Sequence, residues 1–244
     1  QTVTSYRDGA IDFAALLSRV AATPGLRRLG FLSPHPADFD ARLLGTIAEH
    51  PNIVRHLHLP LQSGSDVVLA AMRRSYRREA YLRLVELARR IVPHLALTTD
   101  LIVGFPGEGP REFSETLDLM RAVRFDGAFM FAYSPRPRTH AARYLRDDVP
   151  LEEKQARLRR VIALQEQHSL ERHRRWVGRE TDVLVEGAAR RPPGHLFGRS
   201  ADLKDTIFAP GDEPVPSTGQ IVRVRITAAS SHTLRGSLSA PPRG

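Results

Sequence analysis

Two histidines, His56 and His58, stand one residue apart in a candidate strand that runs into Pro60-Leu61-Gln62-Ser63-Gly64-Ser65. Alternate strand residues share a face, so both imidazoles point opposite Leu57 and Leu59. Polar groups at the carboxyl end of such a strand sit where α/β folds hold ligands. The pair can bind a metal or sit hydrogen-bonded inside a barrel; no third ligand lies nearby in sequence. Residues 98–108 form a second segment, an apolar strand entering Gly104-Phe105-Pro106-Gly107-Glu108. Its glycines let backbone approach a ligand closely, and no Gly-Lys-Ser/Thr follows, so it is not a phosphate-cradling Walker loop. The bland alternative is a strand-to-helix turn with Glu108 favoured by the helix dipole. A third segment, 129–137, sets Phe129, Phe131 and Tyr133 on one face, expected in the core, before Ser134-Pro135-Arg136-Pro137. That stiff loop could receive an adenine or a phosphate. The fourth, Met72-Arg73-Arg74-Ser75-Tyr76-Arg77-Arg78, gathers arginines around a tyrosine, as a solvated helix junction or a phosphate contact.

Helices and strands must position these groups. In residues 1–150 the expected order is a helix capped by Asp12 to about residue 22, a strand over 26–32, a helix opened by Asp38, and a strand over 53–61. A helix from 65 breaks near Arg74-Ser75 and resumes over 77–92; then come a strand over 95–103, a helix over 111–123 and a strand over 125–133. This alternation implies βαβ units and a parallel sheet, open or closed into a barrel. One charged helix follows over 151–176. After Gly178 the helical period vanishes, and five short strands are expected at 181–186, 195–200, 206–209, 220–228 and 233–238, a small antiparallel barrel.

The chain has 244 residues, 36 Lys plus Arg against 27 Asp plus Glu, a net charge of +9 and no cysteine. Zero cysteine excludes a disulfide framework, a thiol nucleophile and a Cys-ligated zinc or iron–sulfur site within this chain. Lys154 and Lys204 are the only lysines, and arginine pairs phosphate in a planar fork. An arginine excess suits a nucleic-acid partner, although high-GC codon usage gives one too. No apolar run is long enough for a membrane span. Gln1 rather than Met opens the chain, so a natural start upstream is expected.

Taken in order, these segments resemble the MiaB-type methylthiotransferases of the radical S-adenosylmethionine superfamily. The resemblance rests on Gln1-Thr2-Val3-Thr4-Ser5-Tyr6, Ser33-Pro34-His35-Pro36, residues 56–65, Met72-x-Arg74-x-Tyr76, residues 99–108 and 133–137. The final 65 or so residues resemble the TRAM RNA-binding barrel, through Leu184-Val185-Glu186-Gly187 and Gly198-Arg199. The implied fold is a partial (β/α) barrel lacking its first strands (1–173 with the long helix), then a TRAM barrel (174–240). The implied reaction is methylthiolation of N6-isopentenyladenosine beside the anticodon of tRNA, in the cytoplasm. The implied cofactors are S-adenosyl-L-methionine and two [4Fe–4S] clusters, served by a reducing system and a sulfur donor. On that resemblance Gln62, Ser63, Gly104 and Arg136 line the S-adenosylmethionine pocket, and Arg74, Arg199, Arg223 and Arg225 hold the anticodon stem-loop. The family's Cys-x3-Cys-x2-Cys loop and its three further cysteines are missing, Arg138 and His140 stand where it prefers Gly and Pro, and Gly109-Pro110 replaces Thr-Glu. The chain by itself is therefore expected to be inactive. The alternatives are a cluster-less tRNA-binding paralogue, or a methylthiotransferase acting on another tRNA adenosine or on a ribosomal protein.

Overall fold

A hairpin of β1 (Arg7–Asp8) and β2 (Ile11–Asp12) precedes α1 (Phe13–Ala21), where the Asp12 carboxylate accepts the Ala15 N–H at 2.9 Å. The computed structural model describes residues 3–32, 35–211 and 214–239; the Gln1-Thr2 and Ser33-Pro34 ends of two signature segments lie outside them. The strand expected over 26–32 shrinks to one parallel bridge, Leu29 to Ile53. Arg27, Arg28 and Gly30 lack the branched or aromatic side chains that hold a pleated partner. Helix α2 (Ala41–Glu49) starts at Asp40 rather than Asp38, because 36–38 form a 3-10 turn and the Asp40 side chain caps Leu43 N at 2.8 Å. Strand β3 (His56–His58) stops before Pro60, which has no N–H for a ladder.

Next come α3 (Asp66–Ala71), α4 (Arg78–Ile91), β4 (Ala96–Val103), α5 (Pro110–Val123) and β5 (Gly127–Ala132). The short α6 (His140–Tyr144) was not foreseen; Thr139 caps it through Ala142 N. Helix α7 runs from Leu151 to Arg174. The chain divides into two units, residues 1–165 and 166–244, and the division falls within α7.

In the first unit β3, β4 and β5 form a parallel sheet with β4 central. Leu57, Leu97, Leu101 and Val103 are buried in the cluster that also holds Leu44, Ile47, Tyr81, Ala88, Leu117 and Met120. The other face carries His58, Thr98, Asp100 and Ile102. Register sets Asp100 opposite Phe129 and Ile102 opposite Phe131, which places both phenylalanines on that second face. They are 62% and 53% exposed, contrary to the expected core position, while Ala128 and Met130 pack on the core instead.

In the second unit β6 (Glu180–Ala188), β7 (Leu196–Ser200), β8 (Asp205–Ala209), β9 (Ile221–Ala229) and β10 (Leu234–Leu238) close a barrel in the order β10-β8-β7-β6-β9. All five strands fall where the sequence pattern put them. The barrel is not wholly antiparallel, however: β10 pairs β8 in parallel. Five strands that alternate direction around a ring must bring two like directions together at closure. Its core is Val183, Val185, Phe208, Val224, Ile226 and Leu234.

Candidate functional site

The segment after β3 is held by three hydroxyl groups. Thr99 Oγ1 donates to Leu59 O at 2.7 Å and accepts Leu61 N–H at 2.9 Å. Tyr81 donates to Leu59 O at 2.8 Å, and Tyr76 to Pro60 O at 2.8 Å. Burial is the main influence on both phenols: it pushes Tyr76 up to about 12 and Tyr81 up as well, so both remain donors. Gln62 continues the ladder, donating its N–H to Asp100 O and accepting from Ile102 N–H, with a left-handed φ of 69°. Gly64 follows because α5 lies directly against it: a Cβ there would sit 2.5 Å from Thr116 Cα and 2.6 Å from Glu115 O.

A cavity of about 590 Å³ opens at the carboxyl ends of β4 and β5. Its wall includes Gln62, Arg74, Asp100, Phe131, Ser134 and Arg136. Segments distant in sequence thus meet at one place. Two of the four residues assigned to the S-adenosylmethionine pocket, Gln62 and Arg136, are in this wall. Ser63 and Gly104 are not. The Ser63 hydroxyl is fully buried beside Thr116 Oγ1 at 3.3 Å, on the α5 side of the loop. Gly104 faces α7, where a Cβ would collide with the Lys154 side chain. Arg74, assigned to RNA, lines the cavity too. Sequence reasoning gave no role to Asp100 or His140, which also line it. The available signal for Asp100 was its alternation with Thr98 and Ile102 on the face shared by the histidines.

Those histidines are hydrogen-bonded, with one hydroxyl between them. Thr98 Oγ1 lies 3.0 Å from His58 Nδ1 and 3.0 Å from His56 Nε2. His58 Nε2 reaches Asp100 Oδ1 at 3.3 Å. Among the described residues no group of three or more His, Cys, Asp or Glu is placed to hold a metal ion. The wall therefore offers three guanidinium groups (Arg73, Arg74 and Arg136), a carboxylate, an amide and aromatic rings. Such a set binds and orients a charged nucleoside.

Glu108 does not belong to this wall. Its Oε1 accepts the Gly104 N–H at 2.8 Å and the Arg157 guanidinium at 2.8 Å, with both side chains almost wholly buried. Arg157 also donates to Glu108 O at 2.6 Å and pairs Glu153 at 2.7 Å. Burial pushes the Glu108 carboxyl up, and the Gly104 N–H and Arg157 pull against it without cancelling the rise. The carboxylate closes the 104–108 turn and ties it to α7, a structural role.

On the barrel, the arginines assigned to RNA face acids. Arg223 pairs Asp182 at 3.0 Å and Glu180 at 3.5 Å, and Arg225 pairs Glu180 at 3.6 Å. Arg199 lies 3.5 Å from Asp205 and 3.8 Å from Glu186.

Residues 1–120 match the Radical SAM superfamily, and residues 174–239 match the TRAM domain. Proteins named tRNA-2-methylthio-N(6)-dimethylallyladenosine synthase align along nearly the whole chain. The one from Moorella thermoacetica is 46% identical over 98% of this chain and 53% of its own length. That from Nocardia farcinica is 47% identical over 96% of this chain and 49% of its own. The chain carries a radical SAM domain and a TRAM domain. It spans about half the length of the curated relatives it matches. Among solved structures, coproporphyrinogen III oxidase from Escherichia coli, a radical SAM enzyme, aligns with TM-score 0.47 and 25% identity over 55% of this chain and 31% of that one.

Two cofactor fits follow for this radical SAM chain. The cavity wall suits S-adenosylmethionine: guanidinium groups for its carboxylate, Asp100 for hydroxyl or ammonium groups, rings for the purine. An iron–sulfur cluster does not fit, since clusters are held by thiolates and the chain contains none. Anaerobic incubation with iron and sulfide is expected to leave the 244-residue chain without cluster absorption in the visible. A bound [4Fe–4S] centre on this chain would overturn that.

Proposed function

We propose that the protein carrying this chain methylthiolates N6-isopentenyladenosine beside the anticodon of tRNA. The observation that carries the reading is the convergence of the 62, 74, 100 and 134–136 segments on one nucleoside-sized cavity, in a chain 46–47% identical to synthases named for that product. S-adenosylmethionine bound there would supply a methyl group and, given one electron from an iron–sulfur cluster whose thiolates this chain does not itself provide, hydrogen-atom abstraction. The chain's own residues bind and orient. Arg74 and Arg136 neutralise a carboxylate or phosphate, Gln62 presents its amide from a fixed left-handed backbone, and Phe131 offers an aromatic face. Gly104 and Glu108 hold the turn behind the wall, and the TRAM barrel holds the RNA. The reading puts the protein in the cytoplasm, with tRNA; among the described residues no helix is long and apolar enough to cross a membrane.

The test is mass spectrometry of tRNA nucleosides from a strain deleted for this reading frame. Loss of the methylthio group with retention of the isopentenyl group is expected; an unchanged nucleoside profile would sink the assignment. One observation favours a second reading, a tRNA-binding protein without catalysis: the chain holds no thiolate for a cluster. An in-frame Cys-x3-Cys-x2-Cys in the DNA upstream of the Gln1 codon would decide against it.

A further inference from the structure

The charges of the TRAM barrel are unevenly paired. Around β6 and β9, with the adjoining ends of β7 and β8, four carboxylates (Glu180, Asp182, Glu186, Asp205) meet three guanidinium groups (Arg199, Arg223, Arg225). That surface is neutral to slightly acidic, and a phosphate chain gains little there. Asp202 is occupied elsewhere, buried against Lys204 at 3.4 Å. Among the described residues no ion pair engages three exposed arginines, Arg190 and Arg191 at the β6–β7 hairpin tip and Arg235 on β10, and Asp205, the strand carboxylate nearest to them on the outer side of β7 and β8, is taken by Arg199.

An aromatic ring joins these arginines. Leu196 and Phe208, cross-strand partners, pack into the barrel core. Their neighbours Phe197 and Ile207, also partners, point outward by strand alternation. Ile207 is in turn the partner of Arg235. Phe197, Ile207 and Arg235 thus form one outward row across β7, β8 and β10, roughly 10 Å from end to end. The hairpin tip adjoins that row, since Leu196 follows it directly, and it is stiffened by Pro192, Pro193 and the Ala189 N–H bond to His195 O at 2.8 Å.

We propose that the barrel takes single-stranded RNA on this β7–β8–β10 face, with a base stacked on Phe197 and phosphates on Arg190, Arg191 and Arg235. A ring beside unneutralised arginines is the arrangement that holds an unpaired base and its backbone together. The proposal deepens the proposed function and rests on its RNA partner.

The test is fluorescence anisotropy of the 244-residue chain with a labelled RNA hairpin of the anticodon stem-loop type, titrated at several salt concentrations. Phe197→Ala is expected to weaken binding about fivefold or more with an unchanged salt slope. Arg190→Gln/Arg191→Gln is expected to weaken it and flatten the salt slope by about 1.4, the release from two single-strand phosphate contacts. Arg111→Ala/Arg121→Ala, which removes the same charge from helix α5, is expected to stay within about twofold of the parent. Thermal melts check folding, and the hairpin-tip variant keeps the test alive should Phe197→Ala unfold. Loss confined to Arg223→Ala/Arg225→Ala or to Arg174→Ala/Arg175→Ala, with Phe197 and the tip silent, would overturn the surface alone. Failure of the parent chain to bind the hairpin would overturn its RNA partner as well.

Discussion

Replacing Glu108 by alanine is expected to destabilise the radical SAM unit by about 3 kcal/mol, read as a shift in the urea midpoint at constant m. The substitution removes the acceptor for the Gly104 N–H and takes from Arg157, 5% exposed, its buried counter-ion, leaving it the half-exposed Glu153 and the backbone carbonyl of residue 108. A buried charge stripped of its buried partner is what makes the loss large; an exposed pair such as Arg83 with Glu79 is worth less than about 1 kcal/mol. Glu108→Gln keeps an oxygen for both donors and is expected to lose much less. It also isolates the pH effect. The native carboxyl is raised above its ordinary value, so between that value and the raised one the native state binds more protons than the unfolded state. Stability from this group is therefore fully present at low pH and falls as pH rises through that window. The wild type should lose stability relative to Glu108→Gln over the same range. A difference that is flat with pH, or that grows with it, would show the carboxyl is not raised.

Gly64→Ala is expected to be comparably severe, about 3 kcal/mol, at the upper end of overpacking effects. The added methyl meets backbone on the facing helix, Thr116 Cα and Glu115 O, so no side-chain rotation relieves it. The Gly64 N–H bond to Thr116 Oγ1 at 3.0 Å and the Gly64 carbonyl's acceptance from Arg78 at 3.1 Å fix the same approach. Separation of the loop from α5 would carry Gln62 away from the cavity wall. Weakened nucleoside binding should therefore accompany the lower melting temperature. A variant as stable as the parent would mean that α5 can retreat, and that the close approach is not what selects glycine at this position.

Patterns set by the local chain were readable in the sequence, while pairings set by distant partners were not. The five barrel strands alternate cleanly between Gly and Pro turns, and each stands where its period put it. Strand β4, apolar at both ends, was equally plain. Leucines and Phe31 make residues 26–32 look like a strand, but Arg27, Arg28 and Gly30 interrupt them, and only the Leu29–Ile53 bridge forms. Phe129 and Phe131 look like core residues in isolation; only the register with β4 reveals that Ala128 and Met130 face the helices. At the candidate site, Gln62 and Arg136 could be placed from their loops, whereas Ser63 and Gly104 sit in loops of the right kind but turn towards α5 and α7. Asp100 reached the cavity unforeseen because its neighbour Thr99, with the opposite orientation, holds the loop.

Closure of the barrel by its last strand governs when it can form during synthesis. Strand β10, spanning Leu234–Leu238, is the only partner that both β8 and β9 share. Until those residues leave the ribosome, the nascent barrel is an open ribbon with two unpaired edges, each able to template pairing with another chain. Protection against aggregation is thus acquired late, and a premature stop upstream of Leu234 would leave a sticky sheet where an intact chain has none.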